Sequence, residues 1–452
     1  MIENSSMKKK WIRMFKIVVP ILITQVAMNL ISFFDILMSS RYGTADLAGV
    51  SVGSSLWMPV YTGLAGILLS ISPLVAHSVG AKNKADVRFT VQQGIYVAII
   101  LALVVFGVLM LVSNLFLNNM QLEPAVRSIA KNYLFALCFG LFPLFIYSAL
   151  RSYIDALGLT RVTMLVTLLS APINVFFNYL FIFGKFGFPE LGGVGAGVAT
   201  AITYWLVMGI AAWILVSQSP FTDYQLFKGW PKFSFSKMKE ITKLGVPIGI
   251  SILAEVSIFS AVTLLMGSFG TEVISAHQIA MNFTSLLYMV PLSISMGATI
   301  LVGQEVGAKR FHEAKHYSWL GVGTAILFSF LSIAILLLFR HQIAGIYSTD
   351  VYVVKLTVQF FVFAALFQLS DAIQAPVQGA LRGYKDVNVT FMMAIVSYWV
   401  IGLPVGYVLA KFTELGPFGY WIGLISGLTI GAITLSARLK IVQNKKMRQS
   451  TV

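Results

Sequence analysis

The sequence predicts an all-α polytopic membrane protein: twelve transmembrane helices in two pseudo-symmetric six-helix lobes. Three observations lead there. Of the 452 residues, 58% are hydrophobic and only 11% are charged, against roughly 25% charged in soluble domains. Apolar segments long enough to cross ~30 Å of hydrocarbon as helix recur along the whole chain. The two halves also resemble each other at a nearly constant spacing.

The apolar segments fall at about residues 15–38, 48–76, 91–117, 127–150, 162–183, 194–217, 242–267, 274–302, 317–339, 353–378, 388–410 and 418–438. The first follows a Lys-rich start and so mimics a secretory leader. It is too long for one, carries Asp35 and lacks a small-residue cleavage site, so it reads as the first span. The net charge of +15 is distributed by topology. Of the 32 Lys and Arg, 25 lie at the termini and in the even-numbered loops, and 7 lie in the others. Positive-inside bias then puts both termini and the central connector in the cytoplasm, with the chain in the inner membrane. The basic excess needs no nucleic acid, and anionic membrane lipid is the partner it suits. Cys138 is alone in an apolar run, so it reads as an inert buried thiol outside any intramolecular disulfide.

The duplication runs through both halves in order. Val79-Gly80-Ala81-Lys82 returns 227 residues later as Val306-Gly307-Ala308-Lys309, and Pro20/Pro247 and Gly43-Thr44/Gly270-Thr271 keep that spacing. Further on the spacing becomes 224, with Ala156-Leu157 matching Ala380-Leu381 and Glu190-Leu191-Gly192 matching Glu414-Leu415-Gly416. Six spans per half is an even number, so both halves enter the membrane in the same sense. Their relation is then a pseudo-two-fold axis along the membrane normal, as in transporters that rock two bundles about a central site. The expected lobes are residues 1–217 and 242–452, joined by a cytoplasmic connector at 218–241. A site between lobes of one chain favours a monomer.

Three acids interrupt the apolar runs: Asp35 in residues 17–37, Glu255 in 246–266 and Asp371 in 351–375. A carboxylate at bilayer depth costs at least ~2.5 kcal/mol unless paired, protonated or facing water, so such acids mark ion-linked function. Gln25, Asn29, Ser32, Asp35 and Ser39 follow at helical spacing and form one polar stripe. Ser170, Asn174 and Asn178 form a second in the fifth span. Their bland role is interhelical hydrogen bonding. In the second half Ser251 shares a face with Glu255, and Gln368, Asp371, Gln374 and Gln378 share another. Asn282 is a further polar candidate in the eighth span. Pro376 is expected to interrupt its helix and free backbone carbonyls. The acids are not themselves duplicated: Asp371 aligns with Tyr147, and Glu255 with Met28. A purely structural need would appear in both copies.

Twelve spans in two halves, the repeated Val-Gly-Ala-Lys, Ser32-Phe33-Phe34-Asp35 in the first span, and Glu255 with Asp371 in spans 7 and 10 make the chain resemble the MATE multidrug and toxin extrusion family, in its NorM-type branch, over about residues 11–440. The resemblance implies efflux of cationic lipophilic drugs and dyes in exchange for inward Na⁺ or H⁺, without a cofactor. Asp35, Glu255 and Asp371 would be the coupling acids, with Asn174 and Asn178 beside Asp35. Two positions depart from the family pattern. Asn178 stands where some members have a second acid, and Phe367 replaces a Tyr found near the cation site in some relatives.

A hard cation such as Na⁺ takes oxygen ligands, which Glu255 and Asp371 supply if their helices meet. Desolvation favours the protonated form of a buried acid, so proton exchange is the alternative. Either ion neutralises the carboxylate that would attract a cationic drug, so ion and drug compete. Each favours one state, and alternation exchanges them. Varied flat cations would use an apolar, aromatic cavity between lobes.

Other signals in the chain compete with this reading. His312-Glu313-Ala314-Lys315-His316 matches the H-E-x-x-H zinc spacing but has no third ligand, and Lys315 sits within it. No P-loop is present, so transport powered by the chain's own ATP hydrolysis is not expected, and neither is an enzyme activity. Arg151 and Asp155 read as an ion pair one helical turn apart, and Glu305 as a cap or gate beside the repeated Gly-Ala. A flippase of lipid-linked sugars is the alternative, and its anionic head group would call for basic cavity residues.

Overall fold

The computed structural model describes residues 6–449 and is helical throughout, with no strand among those residues. The helices are α1 (Met7–Tyr42), α2 (Thr44–Leu68), α3 (Ile71–Gly80), α4 (Lys84–Asn119), α5 (Pro124–Cys138), α6 (Leu141–Ala156), α7 (Thr160–Phe183) and α8 (Gly193–Ser217) in the first half. The second half has α9 (Phe235–Met266), α10 (Thr271–Gly307), α11 (Phe311–Leu338), α12 (Arg340–Tyr347), α13 (Val351–Gly383), α14 (Asn388–Ile395), α15 (Leu403–Phe412) and α16 (Phe418–Gln449). Among the described residues, eleven helical segments are long and apolar enough to cross a membrane, and the bent pair α5–α6 makes up to twelve.

Their ends are set by local chemistry. The Asn83 side chain accepts from the Asp86 amide at 3.0 Å and caps α4. Asp350 accepts from the Tyr352 and Val353 amides and caps α13. Both satisfy amides that the first helical turn leaves without partners. Gly184, at φ 63°, ends α7 in the left-handed conformation that glycine adopts without strain.

Two expectations about individual spans change. The segment expected as one helix at 127–150 is broken, with α5 and α6 meeting at a 50° bend. Gly140 stands in the break, where a methyl group would press on Ala201 and Tyr204 of α8. Pro376, in turn, does not interrupt α13, which runs through it to Gly383. That helix is held by close packing on α10, where Gly379 leaves no room for a side chain beside the Ser295 carbonyl.

Two compact units emerge, one of Pro20–Gly249 and the other of Met1–Val19 with Ile250–Val452. The divisions fall within α1 at Pro20 and within α9 just after Pro247. In the first unit α7 packs on α8, α2 on α5 and α4 on α6. Close approach is possible because small residues line the contacts, as at Gly195, where any Cβ would meet the Phe181 carbonyl. In the second unit α13 is the hub, packed on α10, α11 and α16. Its core gathers Phe360, Phe361, Tyr420 and Trp421, with His277 edge-on to Phe360 and Trp421.

The duplication reaches the backbone and the ion pairs. Lys82 and Lys309, the last residues of the repeated tetrapeptide, both take left-handed φ, at 57° and 58°. Lys10 pairs with Glu313 at 2.9 Å in one unit, and Lys237 pairs with Asp86 at 3.2 Å in the other. Lys10 corresponds to Lys237, and Asp86 to Glu313, at the 227-residue spacing.

The connector is fastened to α4. Arg88, Gln92, Gln93 and Tyr96 donate to the carbonyls of Gly229, Leu226, Lys232 and Pro231 at 2.6–3.1 Å. Gln93 also accepts from the Ser234 amide at 3.0 Å, just before α9 begins. Residues 226–234 are therefore an integral part of the first unit.

Candidate carboxylate sites in the membrane helices

Asp35 lies about four-fifths of the way along α1 and is 4% exposed. Asn178 of α7 donates to its Oδ1 at 2.8 Å, and Thr200 of α8 donates to its Oδ2 at 2.7 Å. Behind them Asn174 Oδ1 accepts from Asn178 at 3.0 Å, and Asn174 Nδ2 donates to Thr200 at 3.1 Å. Asn174 and Asn178 emerge one turn apart on one face of α7, so a single helix presents both amides. Two charge-assisted bonds, each worth about 1.5–3 kcal/mol, offset part of the cost of withdrawing the carboxylate from water.

Asp35 stands in the wall of a cavity of about 230 Å³ that lies wholly within the first unit. Gln25, Asn29 and Ser32 from the same stripe of α1 also line it. Gln25 accepts from Arg151 at 3.0 Å, while Asn29 donates to the Gln25 carbonyl of its own helix at 2.9 Å. Trp57 and Tyr61 stack at 5.9 Å with 8° between their planes and form a flat aromatic wall. Arg151 lies across the same space, 3.5 Å from Asp155, which also accepts from Thr163 at 2.7 Å.

In the second unit Asp371 is 4% exposed and Glu255 half-buried. The two carboxylates are within electrostatic range of each other. Glu255 also interacts with the Tyr288 hydroxyl and, at longer range, with Arg382. Among the described residues, no donor is hydrogen-bonded to the Asp371 carboxylate. Gln374, one turn beyond, donates to the Tyr398 hydroxyl at 2.9 Å. Gln368 makes a long bond of 3.5 Å to the Thr284 carbonyl. Asn282 is not brought to these acids: it is exposed, and its amide oxygen accepts from Tyr347 at 3.0 Å.

Several members of these clusters were not anticipated. Thr200 follows a Gly/Ala-rich stretch of α8, with Tyr204 one turn on lining the same cavity. Tyr288 had a sequence signal: it matches Tyr61 at the 227-residue spacing, and Tyr61 lines the cavity of Asp35 while Tyr288 interacts with Glu255. Arg382 follows Asp371 by eleven residues, three helical turns, so it shares that face of α13.

The remaining motifs resolve differently. Lys10 Nζ lies 2.9 Å from both Glu313 Oε1 and His316 Nδ1, so an ammonium bridges two of the three residues of the H-E-x-x-H match. Among the described residues, no group of three or more His, Cys, Asp or Glu is arranged to hold a metal. Glu305, 2% exposed in its side chain, is clasped by Arg13 at 2.7 Å and Arg310 at 2.6 Å.

A family model described as MatE matches residues 20–180 and again 247–408. The chain belongs to the MatE family. The two matches reproduce the internal duplication within one protein. A probable multidrug resistance protein NorM from Bacillus licheniformis is 54% identical over 445 residues, 98% of each chain. One of the same name from Bacillus subtilis (strain 168) is 53% identical over 443 residues, again 98% of each. Among solved structures, MATE in the bent conformation has a TM-score of 0.88 at 20% identity, covering 97% of both chains. The outward-facing conformation of a multidrug resistance MATE family transporter has a TM-score of 0.86 at 19% identity, covering 96% of both. A MOP superfamily transporter described as having a binding pocket of reverse polarity and a different function scores 0.85 at 18% identity. At such identities likeness speaks of fold alone, and the polarity of the site has to speak for the substrate.

Proposed function

We propose that this chain is a multidrug efflux antiporter of the inner membrane. It exports cationic lipophilic drugs and dyes and takes in H⁺ or Na⁺ by alternating access. Its termini lie in the cytoplasm, it works as a monomer, and residues 1–217 and 242–452 serve as the two lobes joined by 218–241. Asp35, Glu255 and Asp371 are the coupling acids. Gln25, Asn29, Ser32, Asn174, Asn178, Gln368 and Gln374 support them, and a Na⁺ ion, where used, binds at Glu255 and Asp371.

The observation that carries this reading is Asp35 in the wall of a cavity lined by aromatic and polar side chains, with only uncharged donors on its oxygens. A flat cation stacked on Trp57 and Tyr61 gains cation–π attraction, and Asp35 supplies its counter-charge. A proton or Na⁺ on that carboxylate cancels the counter-charge, so ion and drug exclude each other and their fluxes couple in opposite directions. The relatives named NorM, at more than 50% identity over nearly the whole chain, support the same substrate class.

The flippase alternative calls for an anion-binding cavity. Arg151 is the cation in this one: its Nε lies 3.5 Å from Asp155, which offsets its charge, and its two terminal nitrogens donate to Met28 and Gln25. The test is ethidium efflux from cells expressing Asp35→Asn or Glu255→Gln at matched protein levels. Each substitution is expected to reduce efflux at least about tenfold, the weight of one charge-assisted bond. Wild-type efflux from both variants contradicts the assignment of the acids.

A further inference from the structure

The eleventh span is α-helical at both ends and π-helical in the middle, over Val396–Gly402. π windings are rare and concentrate at functional sites. This one lies where Gly402 and Gly406 meet Gly423 and Gly427 of α16, with backbones so close that a methyl group on Gly427 would sit 2.6 Å from the Ser397 carbonyl. Two of its side chains bond residues that lie near the acids of the second unit in sequence. Trp399 donates its indole N–H to the Ala254 carbonyl at 3.1 Å, one residue before Glu255. Tyr398, 1% exposed, accepts the Gln374 amide hydrogen at 2.9 Å and lies within electrostatic range of Glu255, Asp371 and Tyr288.

Gln374 carries the second half of the argument. It follows Asp371 by three residues, so both side chains leave α13 on one face. It is 2% exposed, and with its N–H committed to Tyr398 its carbonyl oxygen has no hydrogen-bond donor. Buried acceptors without a donor are few in folded proteins, and a bound ion is one of the standard reasons for them. Neutral carbonyl oxygens beside carboxylates are ligands that a hard cation prefers.

The internal duplication points to the same place. Tyr398 aligns with Asn174, and Val396 with Pro172, at the 224-residue spacing. In the first half a proline-containing helix hands an amide to the network around Asp35. In the second a π winding hands a phenol to the network around Asp371.

We propose that Tyr398 is a further positioning residue of the Glu255/Asp371 site: by holding the Gln374 amide, it presents the Gln374 carbonyl oxygen as a neutral ligand for an alkali-metal cation. This rests on the cation-coupled reading above and extends it, because a proton needs only a carboxylate whereas a dehydrated Na⁺ needs several oxygens. Tyr398→Phe keeps the ring and removes the acceptor, which frees the amide to rotate.

The experiment is ethidium efflux from proteoliposomes at fixed, equal pH across a series of Na⁺ gradients, for wild type, Tyr398→Phe and Gln374→Leu. Direct ²²Na⁺ binding to each purified protein accompanies it. The half-saturating Na⁺ concentration is expected to rise about three- to tenfold in Tyr398→Phe, the equilibrium weight of one hydrogen bond. The maximal rate should fall by a smaller factor. Gln374→Leu should weaken ²²Na⁺ binding at least as much, and the double variant no further. A lower maximal rate at unchanged half-saturation means that Tyr398 serves packing alone, and this overturns the proposal. Should Gln374→Leu retain wild-type ²²Na⁺ binding, the carbonyl is not a ligand. If wild type binds no Na⁺ yet exports ethidium in a pH gradient, this inference falls and the antiporter reading stands. If wild type exports under neither gradient, the antiporter reading itself falls.

Discussion

In the first unit both oxygens of Asp35 are taken, by Asn178 at 2.8 Å and Thr200 at 2.7 Å, and every donor is uncharged. In the second unit no described residue donates to Asp371, whose neighbours include a second carboxylate, Glu255, with Tyr288 and Arg382 beyond it. The same scaffold, duplicated down to the left-handed φ of Lys82 and Lys309, therefore supports two kinds of acid site. One is a closed cradle that fixes a carboxylate by dipoles. The other leaves the Asp371 lone pairs open beside a second carboxylate, with Arg382 the cation within range of Glu255. On the proposed reading, drug and ion compete at Asp35 beside its aromatic wall, and the Glu255/Asp371 pair takes the coupling ion.

The largest effect that would test this contrast comes from the cradle. Thr200→Val and Asn178→Leu each remove one bond to a charged oxygen, worth about 1.5–3 kcal/mol, or roughly tenfold or more in drug affinity. Ethidium binding followed by fluorescence should weaken accordingly while ²²Na⁺ binding is affected less. Equal loss of both ligands would erase the distinction between the sites.

Helix packing should respond next. Gly195→Val in the first unit drives a side chain into the Phe181 carbonyl, and Gly379→Val in the second drives one into the Ser295 carbonyl. Overpacking of this sort costs about 1–3 kcal/mol. Thermal unfolding in detergent should therefore show both variants destabilised, and a neutral result at either would mean the helices can separate without penalty.

The smallest effect belongs to the duplicated ion pairs. Lys237→Gln should cost less than about 1 kcal/mol. Lys10→Gln should cost more, since its side chain is 4% exposed against 13% for Lys237 and a pair withdrawn from water is costlier to break. The reverse order in thermal unfolding would show that burial does not set their strength.

What could be read from the sequence was what one helix determines by itself. The 3.6-residue spacing of Gln25, Asn29, Ser32 and Asp35, and of Asn174 and Asn178, is a local property, and so is the apolar length of each span. Helices outrun those apolar limits because their ends continue into water: α1 spans Met7–Tyr42 where the apolar run covers about 15–38. Tertiary partners were not legible. Thr200 reaches Asp35 from α8, Arg382 reaches Glu255 from α13, and Asn282 turns to Tyr347 instead of the acids. The break at Gly140 and the π winding at Val396–Gly402 arise where helices approach closely, at Ala201 in one case and at Gly423 and Gly427 in the other. A linear pattern of apolar residues does not encode such approaches.

The central claim is that a cation gradient drives drug export through these acids. Its most direct test is ethidium efflux from proteoliposomes of the purified wild-type chain, first under an imposed Na⁺ gradient at equal pH and then under a pH gradient without Na⁺. The expected result is efflux under at least one gradient, abolished when that gradient is collapsed by an ionophore. Absence of efflux under both, with the protein folded and inserted, would contradict the claim and turn attention to the flippase reading.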